Sequence, residues 1–402
     1  MNNSFTDSIS NNKTFIVVFC LCLFFFAYIL HKVNKRKRNC YSIENSRNKD
    51  EVNNETYSFQ EIINSDYLYD SSNNADYTLK DFYIKTAHNC YASGNHKNDY
   101  MNECALKNCA SYGVRALDLQ IYSKDGEPVI ATSSVNNNFY KESYNHIPLR
   151  SALAQIKKYF VDQNSIQIGD NNYTTNAADH PLFLLLRIHY SANSESDIKQ
   201  YNSLVNGRVV YDKQYSIESK QLKFYNKIYD TFMAFFEANQ FNQTQVRADH
   251  LGSIDTDQRF QIIADLPLKD LKEKILLFIS LNNEPNSVVI KQSKLHYITD
   301  LYENDQDIRG YRYDEIVDGS ESALNQYMNK SKLSYCLPEY STHSHNYDYV
   351  NAMAYGIQFV GMNFQRSDNQ LNLYNSFFIE NHNITDSKLT SPYIKKPDSM
   401  LK

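Results

Sequence analysis

Two stretches of the sequence decide the fold: PLFLLLRIHY at residues 181–190 and GVRALDLQIY at residues 113–122. Each is rich in Leu and Ile over a length that suits one strand. Aliphatic runs of this kind are typical of strands that are buried on both faces of a parallel sheet. We therefore expect both stretches to be inner strands of such a sheet.

Similar runs recur along the chain and alternate with helical patterns. The runs are FYIKTAH (82–88), PVIAT (128–132), KILLFISL (274–281) and IQFVGMNF (357–364). The stretches IPLRSALAQIKKYF (147–160) and QLKFYNKIYDTFMAFFEA (221–238) have apolar residues at helical spacing. This alternation from residue 79 onward predicts an α/β fold, a TIM-type (β/α) barrel, rather than several small domains. Functional residues of such a barrel lie where its strands end.

Polar residues stand at the ends of three predicted strands. They are His88 with Asn89, Asp118 with Gln120, and Arg187 with His189. Side chains two residues apart leave a strand on the same face, so the second and third pairs should each enter the barrel mouth together. Histidine can transfer a proton and arginine can stabilise charge on phosphoryl oxygens, which suits chemistry on a phosphodiester. In the structural alternative, Asp118 simply pairs with Arg115 or Arg187.

The composition limits the classes of partner. The chain has 402 residues, with 41 Lys and Arg against 46 Asp and Glu and a formal net charge of -5. This balance disfavours a general nucleic-acid binder, which needs a basic surface. With 42% hydrophobic and only 22% charged residues, the chain can bury a large core.

An uncharged apolar segment, TFIVVFCLCLFFFAYIL, occupies residues 14–30. Its length is at the lower limit of about 17 residues that a membrane-spanning helix needs. The segment ends in bulky residues instead of the small ones that precede a cleavage site, so we expect an uncleaved signal anchor. The expected domains are a short exterior segment (1–13), the transmembrane anchor (14–30), a basic and then polar tether (31–75) and the barrel (76–402).

Basic residues follow the apolar segment directly. They are Lys32, Lys35, Arg36, Lys37 and Arg38. Positive charge beside a membrane span favours the cytoplasmic side. We therefore predict a single-pass membrane protein with its barrel in the cytoplasm, or in the interior of a virion that contains such a membrane.

The cysteines predict the redox environment. There are seven, an odd number, and they are scattered without close pairs at metal spacing. This arrangement favours free thiols in a reducing compartment. Cys104 and Cys109 are interpreted as small core residues.

Several of these segments resemble the phosphoinositide-specific phospholipase C family, in its eukaryotic X-plus-Y form. KTAHNCYASGN (85–95) is similar to the family's SSHNTYLTG segment, GVRALDLQIYSKDGEPVI (113–130) to GCRCVELDxWDGxxxEPVV, and HPLFLLLRIHYS (180–191) to YPVILSLENHCS. In the second half, NKSKLSYCLP (329–338) is similar to NxxQLSRIYP, and NYDYVNAMAYGIQFVGMNFQ (346–365) to NYxPxxxWxxGCQMVALNFQ. The order is consistent from about residue 79 to 398, so the resemblance implies the phospholipase C catalytic barrel.

The resemblance also implies a reaction on phosphoinositide lipids of a membrane. In the family, one histidine removes a proton from the inositol 2-hydroxyl and a second protonates the departing diacylglycerol, while Ca²⁺ stabilises the phosphoryl charge. By position, His88 matches the first histidine, Asn89 a calcium-binding amide and Asp118 a calcium-binding glutamate. Asn89, Asp118 and Arg115 are the candidates for substrate binding.

Other functional positions of the family are changed in this chain. The second histidine falls on Thr132, two calcium-binding carboxylates on Gln120 and Arg187, two phosphate-binding lysines on Phe278 and Ser280, and an arginine on Tyr335. One carboxylate beside a cation is a poor site for a hard divalent ion. We therefore expect no metal site and no other cofactor.

Three functional hypotheses follow, and the sequence leaves open whether the protein is an enzyme. In the first, the barrel is catalytically impaired and binds lipid or phosphate, with phosphoinositide as a candidate ligand. In the second, it is an active calcium-independent phosphodiesterase, with His88 as the base, Arg187 in place of the metal and His189 as the acid; bacterial relatives of this barrel also use an arginine instead of a metal. In the third, it is a membrane-bound scaffold without a ligand.

Overall fold

The computed structural model describes most of the chain. The described residues are 3–49, 58–59, 69–70, 75–135, 140–162, 165–168, 171–174, 180–190, 204–205, 208–209, 213–241, 263–280, 288–303, 308–318, 322–380, 389–390 and 392–401. The second half of the expected tether, residues 50–74, lies almost wholly outside these ranges.

Eleven strands form one sheet. They are β1 (Phe82–Ala87), β2 (Ala116–Lys124), β3 (Glu127–Ile130), β4 (Ile147–Pro148), β5 (Leu182–His189), β6 (Ile275–Ser280), β7 (Leu301–Tyr302), β8 (Ile308–Arg312), β9 (Leu333–Leu337), β10 (Phe359–Met362) and β11 (Tyr393–Lys395). The main path of this sheet is parallel, in the order β7-β6-β5-β2-β1-β10-β9-β8. A parallel bridge between Glu303 and Ile308 joins its two ends. The predicted TIM-type α/β barrel is therefore confirmed.

The PVIAT run does not become a barrel strand. It forms β3, which pairs antiparallel with β2 and with β4 and so extends the wall beyond the barrel. The hairpin between β2 and β3 turns at Asp125 and Gly126, which both have positive φ. An Asp-Gly pair suits this two-residue turn because glycine adopts positive φ without strain.

The helices lie outside the barrel sheet or precede it. They are α1 (Asn3–Lys49), α2 (Glu103–Ser111), α3 (Leu149–Lys157), α4 (Lys213–Met233), α5 (Val288–Gln292), α6 (Tyr313–Val317), α7 (Ser322–Ser331), α8 (Tyr349–Ala354), α9 (Asn369–Glu380) and α10 (Asp398–Leu401). The helices predicted over 147–160 and 221–238 correspond to α3, which continues as a π-helical turn over Lys158–Asp162, and to α4. Short strand pairs outside the barrel are Ser58–Phe59 with Leu389–Thr390, Tyr69–Asp70 with Ala75–Asp76, Ser165–Ile168 with Asn171–Thr174, and Leu204–Val205 with Arg208–Val209.

Aromatic side chains fill the barrel interior below its mouth. Phe183, Phe278 and Phe359 are buried and belong to one apolar cluster. The ring of Phe359 lies 5.3 Å from that of Phe183 and 5.5 Å from that of Phe278, in edge-on arrangements. Such aromatic contacts add stability beyond the apolar area that they bury. The interior is therefore packed, and the space for a ligand is limited to the mouth.

Helix α1 has two unlike halves. The apolar residues from Phe15 to Leu30 are exposed, and α1 is long and apolar enough to cross a membrane, with a mean hydropathy of 2.4 in its most apolar window. Residues 31–49, expected to begin a tether, instead continue the helix. This half packs on the barrel, where Ile43 and Arg47 are buried. One continuous helix therefore connects the exposed apolar segment to the surface of the barrel.

The contacts of α1 determine which end of the barrel lies toward the apolar segment. Lys35 pairs with Asp99, Cys40 is joined to Cys104 by a disulfide, and Arg47 donates a hydrogen bond to Ser111. The contacts follow the same order along α1 and along the segment that ends in α2, so the two helices run side by side in one direction. Because Asp99 lies in the loop at the carboxyl end of β1, the barrel mouth is on the side of the apolar segment.

The disulfide corrects the expectation that all cysteines are free. Cys40 and Cys104 are bonded, with their Cα atoms 5.8 Å apart, and five cysteines remain as thiols. The sequence gives no sign of this pairing because 64 positions separate the two residues. Helix packing alone brings them together.

We predict that iodoacetamide will modify five cysteines of the denatured, unreduced chain, the number of free thiols in the structure, and seven after reduction. A cross-link over a loop of this length stabilises the folded state by roughly 4 kcal/mol in the chain-entropy description. Reduction should therefore lower the melting temperature, and mass spectrometry should locate the pair at Cys40 and Cys104. The Cys336→Ser variant is the control, since this thiol takes no part in the bond. Modification of all seven cysteines without reduction would contradict the disulfide.

Candidate active site

The candidate site lies at the carboxyl ends of β1, β2 and β5, which are neighbours in the sheet. His88 follows β1 directly, Asp118 and Gln120 lie in β2, and Arg187 lies in β5 opposite Gln120. Each of these side chains is no more than 3% exposed. The structure thus brings together at the barrel mouth polar residues that are far apart in the sequence.

Asp118 is the centre of this cluster. Its Oδ1 accepts a hydrogen bond from Arg187 Nε at 2.6 Å, and its Oδ2 accepts one from Arg187 Nη2 at 2.7 Å. Oδ2 also accepts from the backbone N–H of Asn89 at 3.0 Å and lies 2.6 Å from His88 Nδ1. Burial alone would raise the pKa of Asp118, but Arg187 and His88 outweigh it and hold this pKa well below its usual range. The carboxylate is ionised, and its partners are all within the protein.

His88 is neutral at physiological pH because burial lowers its pKa to about 3, in spite of the neighbouring Asp118. An ionised carboxylate only accepts hydrogen bonds, so the proton is on Nδ1, which donates to Asp118. Nε2 then accepts a hydrogen bond from Asn89 Nδ2 at 2.9 Å. Both ring nitrogens of the candidate base are therefore bonded inside the protein.

Asn89 connects the strands of the site. Its backbone has a φ of 46°, in the left-handed region that asparagine tolerates better than most residues. Its Oδ1 accepts from Gln120 Nε2 at 2.9 Å and from Arg187 Nη2 at 3.0 Å. Gln120 Oε1 in turn accepts from the Tyr122 hydroxyl at 2.7 Å. These bonds hold the Asn89 side chain within the network.

Arg187 carries the positive charge of the site. Burial would lower its pKa, but the contact with Asp118 is stronger and raises the pKa. Two of its nitrogens bind Asp118, as described above. The third, Nη1, is buried and has no hydrogen-bond partner among the described residues. The two N–H donors of this nitrogen are therefore unpaired among the described residues.

His189 is in β5, two residues after Arg187, as the sequence predicted. Its ring stacks on that of Tyr122, with centroids 4.5 Å apart and planes within 5°. Burial and the nearby Arg187 lower the pKa of His189 to about 3. Its ring is therefore neutral at physiological pH, and it is not poised to donate a proton.

A second histidine near His88 was missed by the sequence prediction. His96 lies in the loop after β1, with its ring edge-on to His88 at 5.2 Å, and its Nε2 is 3.1 Å from Asn363 Oδ1. Thr132, where the family has its second histidine, donates from its hydroxyl to the His96 carbonyl at 2.8 Å. Burial lowers the pKa of His96 to about 4. The loop around His96 is polar and irregular, so no strand pattern points to it.

Arg115 is not part of the cluster. It precedes β2, and its guanidinium donates hydrogen bonds to the backbone carbonyls of Phe160, His180 and Pro181. These residues precede β5, so Arg115 lies at the opposite end of the barrel from the mouth. The structure assigns it to holding chain segments together instead of binding substrate.

The remaining changed positions face the barrel interior. Phe278 belongs to the aromatic filling described above, and Ser280 is opposite Arg187 in the sheet. Tyr335 is buried, which raises the pKa of its hydroxyl, and neighbouring Glu303 adds to this shift. A Cβ at Gly310 would overlap the Tyr335 hydroxyl, so only glycine leaves room for this ring. Neutral side chains thus stand where the family resemblance places phosphate-binding cations.

The residues at the mouth do not fit a calcium ion. Ca²⁺ needs several oxygen ligands, among them carboxylates. Asp118 is the carboxylate of the cluster, and Arg187 binds both of its oxygens. Among the described ranges, no group of three or more His, Cys, Asp and Glu residues could hold a metal. The guanidinium neutralises the charge that an ion would need.

The fold and the position of this cluster define the class of the protein, an α/β barrel with a polar site at the carboxyl ends of its strands. Two family descriptions match the sequence: phosphatidylinositol-specific phospholipase C, X domain, over residues 75–229, and phosphatidylinositol-specific phospholipase C, Y domain, over residues 301–399. The chain belongs to the phosphatidylinositol-specific phospholipase C family.

Solved structures with the same fold include PLC21 of S. officinalis and PLC21 of L. pealei. They are 15% and 16% identical to this chain, each with a TM-score of 0.52, and each match covers 84% of this chain. The chain spans 41% of the length of those proteins. A calcium-dependent phospholipase C from Pseudomonas sp. is 13% identical, with a TM-score of 0.42, and the match covers 75% of this chain and 94% of that one. A search among curated protein sequences gives no match.

The ion pair at the mouth predicts a clear pattern of stabilities. Arg187→Met leaves Asp118 buried without its partner, and we expect the free energy of unfolding to fall by about 3–5 kcal/mol. The double variant Asp118→Leu with Arg187→Met removes both charges and should lose less than Arg187→Met alone. Urea denaturation of the full chain in detergent measures both.

The exposed Arg150 provides the control, because Arg150→Met removes the same charge from the surface of α3 and should change stability little. If Arg187→Met costs no more than Arg150→Met, the ion pair does not stabilise the mouth as described.

Proposed function

We propose that this chain is a membrane-attached, phospholipase C-like protein whose barrel has lost calcium-dependent hydrolysis and serves to bind lipid or phosphate. The observation that carries the proposal is the bidentate contact of Arg187 with Asp118. It replaces a metal site by a fixed internal ion pair. The ion pair is neutral as a whole, and the Nη1 of its guanidinium, unpaired within the described ranges, supplies the N–H donors for a phosphate oxygen.

Three further observations support impaired catalysis. His88, the one matched base, has both ring nitrogens engaged, and the cluster is almost fully buried. Thr132 stands where the family has its leaving-group acid, and a hydroxyl cannot supply a proton as an imidazolium can. Phe278 and Tyr335 stand where the resemblance places cations. For His88 to act as a base, its hydrogen bond with Asn89 would have to break.

Two features support a binding role: an unpaired donor at the barrel mouth, and the position of the mouth on the side of the apolar segment. Arg187 Nη1 has no partner among the described residues and can donate to a phosphate oxygen. The contacts of α1 place the barrel mouth on the side of the apolar segment, so the mouth is turned toward lipid when that segment is in a bilayer. The proposed ligand is accordingly a membrane lipid, with phosphoinositide as the first candidate.

One arrangement favours the second hypothesis, an active calcium-independent phosphodiesterase. His88 carries its proton on Nδ1, held by Asp118, which leaves Nε2 as the basic nitrogen once Asn89 moves aside. Arg187 next to it can stabilise phosphoryl charge. His189 or His96 would have to donate a proton, and both have lowered pKa values, so the acid is the weak part of this hypothesis.

We expect the full chain in mixed micelles with phosphatidylinositol to release no cyclic inositol phosphate above background, with calcium or with a chelator. The physical reason is the missing metal and the missing acid. Equal results for the wild type and for His88→Ala would support the proposal.

Robust calcium-independent release would overturn it. In that case His88→Ala and Arg187→Lys should each reduce the rate by about 10²- to 10⁴-fold. The first variant removes the proton-transfer group, and the second removes the bidentate guanidinium that would stabilise the phosphoryl charge. His189→Gln and His96→Gln would then identify the acid.

We further propose that α1 crosses the membrane once. Two signals point to opposite orientations: the basic run after Leu30 favours the cytoplasm for the barrel, whereas the Cys40–Cys104 disulfide favours an oxidising compartment. Lys35 of the basic run is bound to Asp99 of the barrel, so it has a structural role besides any effect on topology. Because a reducing compartment would keep Cys40 and Cys104 as thiols, we propose that the barrel faces the oxidising side.

Protease added to sealed microsomes that contain the full chain should therefore leave the barrel intact, and detergent should make it digestible. The Cys40→Ser variant serves as a control for whether the disulfide itself gives the resistance. Digestion of the barrel in intact vesicles would restore the cytoplasmic orientation that the basic run predicts.

A further inference from the structure

A cavity of about 450 Å³ lies outside the barrel, between α1 and the loops that follow β1 and β10. Its walls include Asn39, Ser42 and Ser46 of α1, Ser93 of the β1 loop and Gln365 of the β10 loop. Such a volume is within the range of sites for small molecules, about 300–1,000 Å³. The lining is mainly hydroxyl and amide groups, so the cavity suits a polar ligand.

Three cations lie along this cavity: Lys35, Arg47 and Arg366. Arg47 is 1% exposed, donates to the Ser111 hydroxyl and carbonyl, and lies over the ring of Tyr112 at 4.3 Å. Arg366 is exposed and takes part in no ion pair among the described residues. Its guanidinium is available to a ligand.

The two carboxylates of the lining are already satisfied. Asp99 binds Lys35 at 2.9 Å and also accepts from Asn39 Nδ2 and from the backbone N–H groups of Asn95 and Tyr100. Asp368 accepts from the backbone N–H of Leu371, at the start of α9, and from Asn346, through both its backbone N–H and its side-chain amide. Neutral donors stabilise these carboxylates but leave their charge in place. Three cations against two carboxylates still give the lining an excess of one positive charge, which favours an anion.

A buried acceptor completes the site. Asn108 lines the cavity and is 3% exposed, and its Nδ2 donates to the Phe364 carbonyl at 2.9 Å. Its Oδ1 has no hydrogen-bond partner among the described residues. An unpaired buried carbonyl oxygen destabilises the protein, and a hydrogen-bond donor on a ligand would relieve that cost. A hydroxyl group is such a donor.

We infer that this cavity binds a phosphorylated polyol, with the phosphate at Arg366 and a hydroxyl at Asn108. The site is separate from Asp118 and Arg187 and goes beyond the proposed function of the mouth. Gln365 Nε2 lies 3.4 Å from Asn363 Oδ1, which contacts His96. The side chain of Asn363 therefore links Gln365 of the cavity wall to His96 at the barrel mouth.

The ligand can come from two sources, a lipid headgroup or a soluble phosphate ester. For the soluble source, the full chain in detergent is titrated calorimetrically with myo-inositol 1-phosphate and with inorganic phosphate. For the lipid source, a Ser367→Trp reporter is reconstituted into lipid vesicles of phosphatidylcholine with and without phosphatidylinositol. The chain contains no Trp, so this fluorescence comes from the cavity alone.

We expect saturable binding of myo-inositol 1-phosphate, or a fluorescence change only with phosphatidylinositol present, and the arm that responds names the source. Because the mouth is also proposed to bind lipid or phosphate, only a response that Arg366→Gln weakens is assigned to this cavity. Arg366→Gln should weaken binding about 10-fold or more, since it removes a charge-assisted hydrogen bond. Arg150→Gln, the same change on α3, should have no effect. Ser46→Phe, which fills the cavity, should abolish binding without affecting the mouth.

Absence of a saturable response to both sources would overturn the inference. So would unchanged affinity in Arg366→Gln, which alters an exposed residue and should fold normally, or equal binding by Ser46→Phe with its disulfide and melting temperature intact. If inorganic phosphate bound as tightly as myo-inositol 1-phosphate, the hydroxyl groups would add no affinity, and the proposed contact with Asn108 would be wrong. None of these outcomes depends on whether phosphatidylinositol is cleaved.

Discussion

A carboxylate that is withdrawn from water must find all its hydrogen bonds within the protein, and Asp118 imposes this constraint on the barrel mouth. The side chain is completely buried, so an unpaired charge there would cost several kcal/mol. Arg187 supplies two donors and the Asn89 backbone and His88 one each. The tautomer of His88 follows from this need, and Asn89, in its left-handed conformation, directs its backbone N–H to the same carboxylate. The chemistry open to the site is limited by the same bonds.

Much of the barrel could be predicted from the sequence because its strands carry their own signal. The runs that form β2, β5 and β6 are rich in Leu and Ile, and those that form β1 and β10 are more mixed and include aromatic residues. The polar ends of β1, β2 and β5 fall where parallel strands place functional residues. The register of the sheet then brings His88, Asp118 and Arg187 together as expected. The run that forms β3 was misleading, since apolar content does not distinguish a parallel neighbour from the return strand of a hairpin. The Asp-Gly turn was the better indication.

Other features could not be predicted, because they depend on distant packing. The disulfide between Cys40 and Cys104 requires knowledge of how α1 lies on α2. His96 is in a loop without periodicity, and its approach to His88 depends on how this loop folds over the mouth. Arg115 was a candidate for substrate binding and for pairing with Asp118. Its position before the strand instead sends the guanidinium to the other end of the barrel, where backbone carbonyls are available.

The continuous helix α1 also sets a distance. Each helical residue advances about 1.5 Å, so Cys40 lies about 15 Å beyond Leu30, the end of the apolar run. With that run in a bilayer, the disulfide attaches the barrel at a constant stand-off from the hydrocarbon layer, and an unstructured tether would leave this height variable. In that arrangement the barrel also keeps a fixed tilt relative to the helix, so the strand ends that carry Asp118 and Arg187 stay on the side of the hydrocarbon layer.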